Sequence, residues 1–292
     1  MELSVCLTDD DYEAWRQVRM DVVPGERCDT VAEMRAQDTP ARLLLLASVD
    51  GTVVGSGVAD RSDMAGGGFV APRVRPEHRR QGVGSALLRA LADHVAGLEV
   101  SDLRAMTEDT ASLAFAEHFG FVEVDRQVEQ VRAVGDEPEP DPLPEAVTVV
   151  RRDEHPELWA ACYERFGTEV LADFAVFQPL RITEQQWNDS WAGDPMFLAV
   201  HDGEVVGCAG LDRDTDRPER AENALTAVRR DWRGHGIAVH LKRRTLAWAA
   251  DHGVTELYTW TQAGNTPMLT LNERLGYVTG QTSITLSRPL PL

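Results

Sequence analysis

The hydrophobic and polar positions of the chain repeat one order of predicted elements twice. Each half opens with a short apolar strand (residues 3–8 and 146–152), and acid-led helical stretches follow it. An Asp-Gly pair (residues 50–51 and 202–203) then separates two β-rich runs, which is the strongest short-range signal for a hairpin.

Behind each hairpin, a further strand leads into a glycine turn and a helix. Another strand, another helix and a closing strand complete each half. This order predicts an α/β fold of the α+β type, in which each half is a mixed, mostly antiparallel sheet flanked by helices. The helix after the turn has its core-facing residues at helical spacing, namely Val83, Leu87, Leu88, Leu91 and Val95 in the first half and Ile237, Leu241, Thr245 and Trp248 in the second.

Three sequence blocks match between the halves in the same order. Their offsets of 152, 154 and 156 residues grow evenly, as small loop insertions in a duplicated domain would produce. The blocks are residues 50–61 with 202–213, 75–88 with 229–242, and 117–121 with 273–277.

A proline- and acid-rich stretch, GDEPEPDPLP, separates the two halves. Prolines at this density cannot enter a helix or a sheet interior, because each lacks a backbone donor and fixes φ. We therefore predict an N-terminal domain over residues 1–134, a linker over 135–145 and a C-terminal domain over 146–292.

Composition narrows the classes of function. The net charge of −19 over 292 residues argues against nucleic-acid binding and favours a cationic partner. The N-terminus has acids where a signal peptide needs basic residues, and the longest aliphatic run, residues 43–49, is too short to cross a bilayer. We expect a cytoplasmic monomer or weak homodimer without membrane partners. The four scattered cysteines predict reduced, buried thiols and no metal site.

The glycine turns are the strongest candidates for a binding site. A strand that ends in a glycine turn and opens a helix presents unpaired N–H groups at the positive end of the helix dipole, which binds phosphate. Neither turn fits the nucleotide pattern GxxxxGK[ST] or the dinucleotide pattern GxGxxG. Both turns fit R-x-x-G-x-G/A, with Arg79, Gly82 and Gly84 in the first half and Arg233, Gly236 and Ala238 in the second.

In these turns the sequence resembles the GNAT superfamily of acetyl-CoA-dependent N-acetyltransferases, whose pyrophosphate loop has the same form. The resemblance covers essentially the whole chain as two tandem copies, a plan similar to that of mycothiol synthase and other actinobacterial tandem enzymes. It implies that acetyl-CoA is the co-substrate. The residues that it assigns to acetyl-CoA are Val74, Arg79, Arg80, Gln81, Gly82, Val83 and Gly84 in the first copy, and Val228, Arg233, Gly234, His235, Gly236, Ile237, Ala238 and Asn265 in the second.

The catalytic residues that the resemblance implies are less fully present in this sequence than the residues for acetyl-CoA. An amine acceptor must lose a proton before it attacks, so transfer needs a general base and an oxyanion donor. The family's tyrosine, which protonates the departing thiolate, is replaced by Ala116 and Asn272. Glu222 precedes the second turn where the first copy has Gly68; it is either the base or a structural carboxylate that is solvated or paired with Arg220. We predict catalysis by Glu222 and Asn272.

Two further residue assignments stay open. Asn265 precedes Thr266-Pro267, so it is a candidate both for a helix N-cap and for a cofactor contact. Trp187 and Trp191 are four residues apart on a predicted helix, and they are candidates for the wall of an acceptor pocket or for core packing.

The leading hypothesis is an acetyl-CoA-dependent N-acetyltransferase that acts on a small-molecule amine in a ternary complex, with the chemistry in the C-terminal domain. One alternative is a catalytically silent acetyl-CoA-binding module for sensing or for partner contacts, which the missing tyrosines favour. Another is mycothiol-type thiol biosynthesis, which the tandem plan permits.

Overall fold

The computed structural model describes residues 1–24, 28–61, 67–140, 142–174, 182–190, 193–214 and 217–292. These residues divide into two compact units. The first unit comprises Met1–Asp125 together with Ser283–Leu292, and the second comprises Arg126–Thr282.

The first unit contains a mixed sheet with helices on its faces. Its strands, in spatial order, are β1 (Glu2–Val5), β2 (Leu43–Val49), β3 (Thr52–Arg61), β4 (Gly67–Val74), β5 (Asp102–Thr107) and the end of β12 (Val278–Pro289). Its helices are α1 (Asp9–Val22), α2 (Val31–Ala36), α3 (Val83–Ala96) and α4 (Thr110–His118), with a 3₁₀ turn at Pro76–His78.

The second unit repeats this plan. Its strands, in spatial order, are β6 (Val122–Ala133), β11 (Glu256–Gln262), β10 (Arg220–Val228), β9 (Glu204–Arg213), β8 (Met196–His201) and β7 (Val147–Arg151). Its helices are α5 (Pro156–Ala161), α6 (Thr168–Phe174), α7 (Glu184–Ser190), α8 (Ile237–Asp251) and α9 (Thr266–Arg274), with a π-helical turn at Tyr163–Gly167 and a 3₁₀ turn at Arg230–Trp232.

Local sequence signals explain where the helices begin. Thr8 caps α1 and Thr30 caps α2, each in a reciprocal capping box with an acid three residues later. Asp109 caps α4 and Asn265 caps α9 through their side chains. The helices that follow the two glycine turns, α3 and α8, have no side-chain cap.

The two sheets are mostly antiparallel, as predicted, with one parallel pair in each. β4 pairs with β5 over three residues only, Gly67–Phe69 with Asp102–Arg104. β10 pairs with β11 over Arg220–Glu222 and Glu256–Tyr258. Beyond these three pairs the strands of each parallel pair separate, which opens a gap at their carboxyl ends.

The closing strands do not join the copies in which the sequence places them. The last seven residues of β6 pair with β11 in the second unit, and the last six of β12 pair with β5 in the first. Strands β5 and β11 are copies of each other in the duplicated fold, so the alternating pattern of a closing strand fits the exposed edge of either one. The boundaries at 1–134, 135–145 and 146–292 remain a prediction about which sequence was duplicated. The compact units differ from them, because each unit takes its closing strand from the other copy.

Each sheet is covered by apolar side chains on both faces. In the first unit, the α3 residues predicted from helical spacing are buried against β2–β5, and Tyr12, Trp15 and Met34 pack on the opposite face. In the second unit, α8 covers one face and the segment from α5 to α7 covers the other. The four cysteine thiols are buried, as predicted. Among the described residues, no helix has the length and apolar character that crossing a membrane requires.

We expect Leu286→Ala to lower the free energy of unfolding by about 2–5 kcal/mol, because a fully buried leucine leaves a cavity. Leu286 lies on β12, is 1% exposed and packs in the α3-side core of the first unit. Urea unfolding of the whole chain measures the effect. The matched control is Val278→Ala on the same strand, which is 67% exposed and should change stability by less than about 0.5 kcal/mol. Equal effects of both changes would contradict the assignment of this segment to the first core.

Candidate active site

The candidate sites lie at the carboxyl ends of the separated parallel strands. In open sheets with parallel strands, ligands bind at such ends, where neighbouring strands diverge. Here each gap is next to a glycine turn that connects the inner strand, β4 or β10, to a central helix, α3 or α8. The two units therefore place the same elements around the same kind of opening.

The turn of the first unit runs from Val74 to the start of α3 at Val83. Arg80 and Gly82 adopt positive φ angles of 64° and 85°, and Gly82 is the N-cap of α3. The Arg79 Nε donates to the Val74 carbonyl at 3.1 Å, which folds this side chain back along the turn. Val83 is 2% exposed and belongs to the core, so the helix that starts here is fixed by packing.

The turn of the second unit has the same backbone. Gly234 and Gly236 have φ angles of 81° and 78°, at the positions that Arg80 and Gly82 hold in the first. The Arg233 Nε donates to the Val228 carbonyl at 3.0 Å, matching the contact of Arg79. Ile237 is buried, Ala238 is half-buried and His235 is exposed, with its Nδ1 3.2 Å from the Trp232 carbonyl.

Both turns have room for an anion. A Cβ atom added at Gly82, Gly234 or Gly236 would meet no atom within 4 Å. The first N–H groups of α3 and α8 have no side-chain cap, and the first turn of any helix leaves such donors free. A phosphate group fits this arrangement, because the helix dipole also favours negative charge there.

Arg233 has a carboxylate partner in the second unit. Asp173 on α6 forms ion pairs with both Arg230 and Arg233. Burial opposes ionisation of Asp173, but the hydrogen bonds from the two arginines outweigh it and lower the pKa of the carboxyl group. In the first unit, Asp109 has a lowered pKa as well: against burial, hydrogen bonds from Ser112 and Ala111 lower it, and the charge of Arg79 adds to them.

Asn265 is a helix cap in the structure. Its side chain accepts a hydrogen bond from the backbone N–H of Met268 at 3.3 Å, and the residue is exposed at the start of α9. The capping interpretation is therefore confirmed. Contact with a cofactor stays a prediction.

Glu222 lies on β10 immediately before a β-bulge. Glu222 is opposite Asp212, whereas Leu225 is opposite Gly210, so two residues of β10 face the single residue Leu211. The first unit has no such shift, because β3 and β4 pair regularly from Gly55–Val74 to Arg61–Gly68. Bulges are over-represented next to active sites, where they redirect the backbone.

The bulge also corrects the sequence alignment of the two copies. Phe69 pairs with Asp60 in the first unit, and Glu222 pairs with Asp212, the matching hairpin residue, in the second. Glu222 therefore corresponds to Phe69 and not to Gly68. The extra residue of β10 is accommodated in the bulge. Arg220 forms ion pairs with Glu129 and Glu256.

Asn272 lies on α9 and is completely buried. Its Nδ2 donates to the Gln130 Oε1 at 2.8 Å and to the Thr261 Oγ1 at 3.4 Å. Its relative exposure is 0%, so in this structure the side chain connects α9 to β6 and β11. A catalytic role for Asn272 stays a prediction.

Trp187 belongs to the core. It is 0% exposed and stacks on Trp159, with ring centroids 4.6 Å apart and planes at 12°. Of the two interpretations that the sequence left open for Trp187, core packing is therefore the one that the structure supports. Trp191 lies outside the described residues.

Sequence reasoning missed a buried polar cluster between α8 and β10. Lys242, the only lysine among 29 basic residues, is 1% exposed, and its Nζ donates to the Asn223 Oδ1. Its Nζ also lies 5.2 Å from the centre of the Tyr277 ring. Burial lowers the pKa of Lys242 from 10.5 to about 7. The signal in the sequence was the single lysine on an otherwise apolar helix face.

The comparisons with known proteins agree with this geometry. The model of the Acetyltransferase (GNAT) family matches residues 7–121 and 149–277. The chain therefore belongs to the GNAT family and is an acyltransferase with two GNAT regions.

Similar proteins include acetyltransferases of known name and GNAT proteins of known structure. The mycothiol acetyltransferase of Salinispora arenicola (strain CNS-205) is 29% identical over 264 residues, which cover 85% of this chain and 82% of that protein. A tandem GNAT protein from the clavulanic acid biosynthesis pathway is 20% identical with a TM-score of 0.75 and covers 100% of both chains. A GCN5-related N-acetyltransferase from Sphaerobacter thermophilus is 19% identical with a TM-score of 0.73 over 98% of this chain and 95% of its own. At these identities the solved structures show a shared fold.

The buried amine of Lys242 makes stability depend on pH. Between its lowered pKa of about 7 and the ordinary 10.5, the unfolded chain holds a proton that the folded chain does not, so rising pH favours folding. This group alone contributes a slope approaching about 1.4 kcal/mol per pH unit.

Lys242→Met should remove that slope. Urea unfolding between about pH 7 and 8.5 measures the free energy of unfolding of both proteins, and the contribution of the thiols, which both proteins share, cancels in the difference. Leu88→Met at the matching position of α3 serves as the control and should keep the wild-type slope. A difference between wild type and Lys242→Met that stays constant with pH would show that the folded lysine is charged.

Proposed function

We propose that the second unit transfers an acetyl group from acetyl-CoA directly to the amine of a small molecule. The observation that carries this proposal is the combination, in one unit, of an uncapped glycine turn, a parallel pair that separates after three residues, and a bulge beside Glu222. Acetyl-CoA supplies the activated acetyl group as a thioester. The chain supplies its binding, the placement of the amine and the removal of a proton.

The turn and α8 would hold the pyrophosphate of acetyl-CoA. Its phosphates would accept hydrogen bonds from the N–H groups at the start of α8, beside Gly234 and Gly236. Arg233 and His235 add positive or polar groups at the exposed side of the turn. The free edge of β10, from the bulge to Val228, presents backbone groups toward the gap, where an extended pantetheine arm would run.

Glu222 would accept the proton of the amine. An alkylammonium group has a pKa of about 10.4 in water, so at neutral pH the acceptor must be deprotonated before its nitrogen attacks. Glu222 is half-buried on the inner strand, one residue before the bulge. Backbone N–H groups of the bulge would stabilise the negative charge that develops on the thioester oxygen. Asn272 would contribute by holding α9 against β6 and β11, since an amide has no acidic proton to release and its Nδ2 already donates to Gln130 and Thr261.

The two units differ in a way that favours the second as the catalytic one. The first unit has Phe69 at the position of Glu222 and a regular β4 without a bulge. It keeps the glycine turn, so we propose that it binds acetyl-CoA without catalysing transfer.

The acceptor is proposed to be a small, amine-bearing molecule. Relatives that match over most of this chain are named mycothiol acetyltransferases, and a name of that kind indicates a small-molecule acceptor. The net charge of −19 favours association with a cationic amine.

Acetyl-CoA should stabilise the protein by about 2.7 kcal/mol at a hundredfold excess over its dissociation constant. Gly236→Val should abolish turnover, because φ is 78° there and the new side chain would occupy the open space at the turn. Gly82→Val, the matched control in the first unit, should lower the binding stoichiometry from two to one and keep most of the activity. Thermal unfolding, calorimetric titration and thiol release over an amine library measure these outcomes. Loss of turnover in Gly82→Val alone would assign catalysis to the first unit.

Glu222→Gln should lower the rate at neutral pH by about 10²–10⁴-fold and leave the affinity for acetyl-CoA nearly unchanged, because the carboxylate removes a proton and does not bind phosphate. The rate of the wild type should fall below an apparent pKa that the variant no longer shows. A pH–rate profile of both proteins tests this. An unchanged rate and profile would make Glu222 a structural carboxylate.

The alternative of a silent sensing module has one observation in its favour. A cavity of about 240 Å³ opens in the first unit, on the sheet face away from α3. Small pockets that combine apolar walls with a few charged groups bind metabolites. The apolar residues that line it are Trp15, Met34, Val58 and Phe69, and the charged residues are Arg19, Asp29, Arg42 and Asp60. The assays of the two glycine variants also separate a sensing module from an enzyme. A purely sensing protein would bind acetyl-CoA but show no turnover, either in the wild type or in any variant.

A further inference from the structure

A polar cluster in the second unit replaces apolar packing in the first. Lys242 on α8 corresponds to Leu88 on α3, at the offset of 154 residues that the matching helices share. The bulged residues of β10, which include Asn223, occupy the place of Val70 on β4, because they lie between the pairs that match Phe69 and Ala71. Leu88 and Val70 are 2% and 0% exposed. The first unit therefore fills the same part of its core with apolar side chains.

Asn223 connects the bulge to three neighbouring elements. Its Nδ2 donates to the Gly210 carbonyl on β9 at 2.9 Å. Its backbone carbonyl accepts a hydrogen bond from the Thr259 hydroxyl on β11 at 3.1 Å. Its Oδ1 accepts hydrogen bonds from the Thr226 hydroxyl at 3.4 Å and from the Lys242 Nζ. Lys242 is thus the contact that ties the bulge to the central helix.

Burying this amine is unfavourable for folding. A lysine transferred from water into the core loses its hydration, and its pKa falls to about 7 for that reason. Tyr277 on the facing side has its pKa raised by burial, so it offers no negative charge to the amine. Asn223, Thr226 and Thr245, the other polar side chains of the cluster, are uncharged. A local feature that weakens folding where an apolar pair suffices is expected at functional sites.

We propose that Lys242 is a positioning residue for acyl transfer, whose Nζ holds Asn223 and thereby fixes the bulge of β10 beside Glu222. This inference rests on the proposed catalytic role of the second unit. Lys242 makes no contact with substrate, since it is buried behind the strand. It acts on the reaction through the backbone groups of Asn223, Ala224 and Leu225. Helix α8 also connects the same lysine to the glycine turn, which ends at Gly236, six residues before it.

The first test separates positioning from core stability. Lys242→Leu combined with Asn223→Val recreates the apolar pair of the first unit, and it should match or exceed the thermal stability of the wild type. Its kcat should nevertheless fall at least tenfold, while its dissociation constant for acetyl-CoA changes less than threefold. Leu88→Met in the first unit is the control and should keep wild-type kcat. A stable double variant with kcat within twofold of the wild type would overturn the proposal.

A second readout does not depend on activity. In Lys242→Met, the amides of residues 223–225 should exchange with solvent at least tenfold faster than in the wild type, whereas the amides of β9 residues distant from Gly210 keep their rates. Unchanged exchange at 223–225 would overturn the proposal that Lys242 fixes the bulge. If the wild type transfers no acetyl group to any amine while exchange behaves as expected, the proposed function is wrong, but the structural role of Lys242 in fixing the bulge is supported.

The single lysine makes the ionisation directly measurable. Lysine labelled with ¹³C at Cε gives a single NMR signal from the full-length protein, because Lys242 is its one lysine. The titration midpoint of that signal should lie near 7 in the wild type. Asn223→Val should move that midpoint, because the Oδ1 acceptor is lost. Acetyl-CoA should shift the signal as well, since it would bind along the strand that Lys242 holds. A midpoint above about 9 with no response to either change would overturn the link between Lys242 and the bulge.

Discussion

Each unit depends on the short pairing of its two parallel strands. Three residue pairs join β4 to β5 and β10 to β11, and after them the strands separate. Had the pairing continued, backbone hydrogen bonds would fill the gap and the glycine turn would face a closed sheet edge. Because the strands separate, backbone groups of the inner strand become available to a ligand at the point where the uncapped helix directs its N–H groups. The sheet and the helix thus share one opening.

The two units differ at this opening by one inserted residue. The insertion in β10 creates the bulge between Glu222 and Leu225, moves Glu222 into the place of Phe69, and requires a partner for Asn223 in the core. Lys242 is that partner. A carboxylate, a bulge and a buried amine therefore occur together in the second unit. At the matching positions of the first unit, Phe69 replaces the carboxylate, and Leu88 and Val70 belong to one apolar core. The duplication supplies two similar scaffolds, and this local change is what distinguishes their openings.

Much of the fold could be predicted from the sequence because its signals are local. Asp-Gly turns, the helix cap Asn265 and the helical spacing of Leu87 and Leu91 depend on neighbours a few residues apart. The closing strands could not be assigned, since duplicated edges accept either strand. The Lys242–Asn223 contact was also beyond reach, because it depends on how α8 packs against a bulged strand. The role of Trp187 stayed open at the sequence level because one helix face can line a pocket or a core.

The ion pair of Asp173 with Arg233 shows how the second turn combines an arginine with a strongly acidic chain. An unpaired guanidinium at a net charge of −19 would attract carboxylates from its own surface, and its position would vary. Here the Val228 carbonyl holds Nε and Asp173 holds one terminal nitrogen, so the plane of the guanidinium is set before any ligand arrives. A guanidinium has five N–H donors, and these two contacts leave others for a phosphate. The carboxylate thereby orients the cation without using all of its hydrogen-bonding capacity, and a phosphate that binds at the turn adds to the pair instead of having to break it.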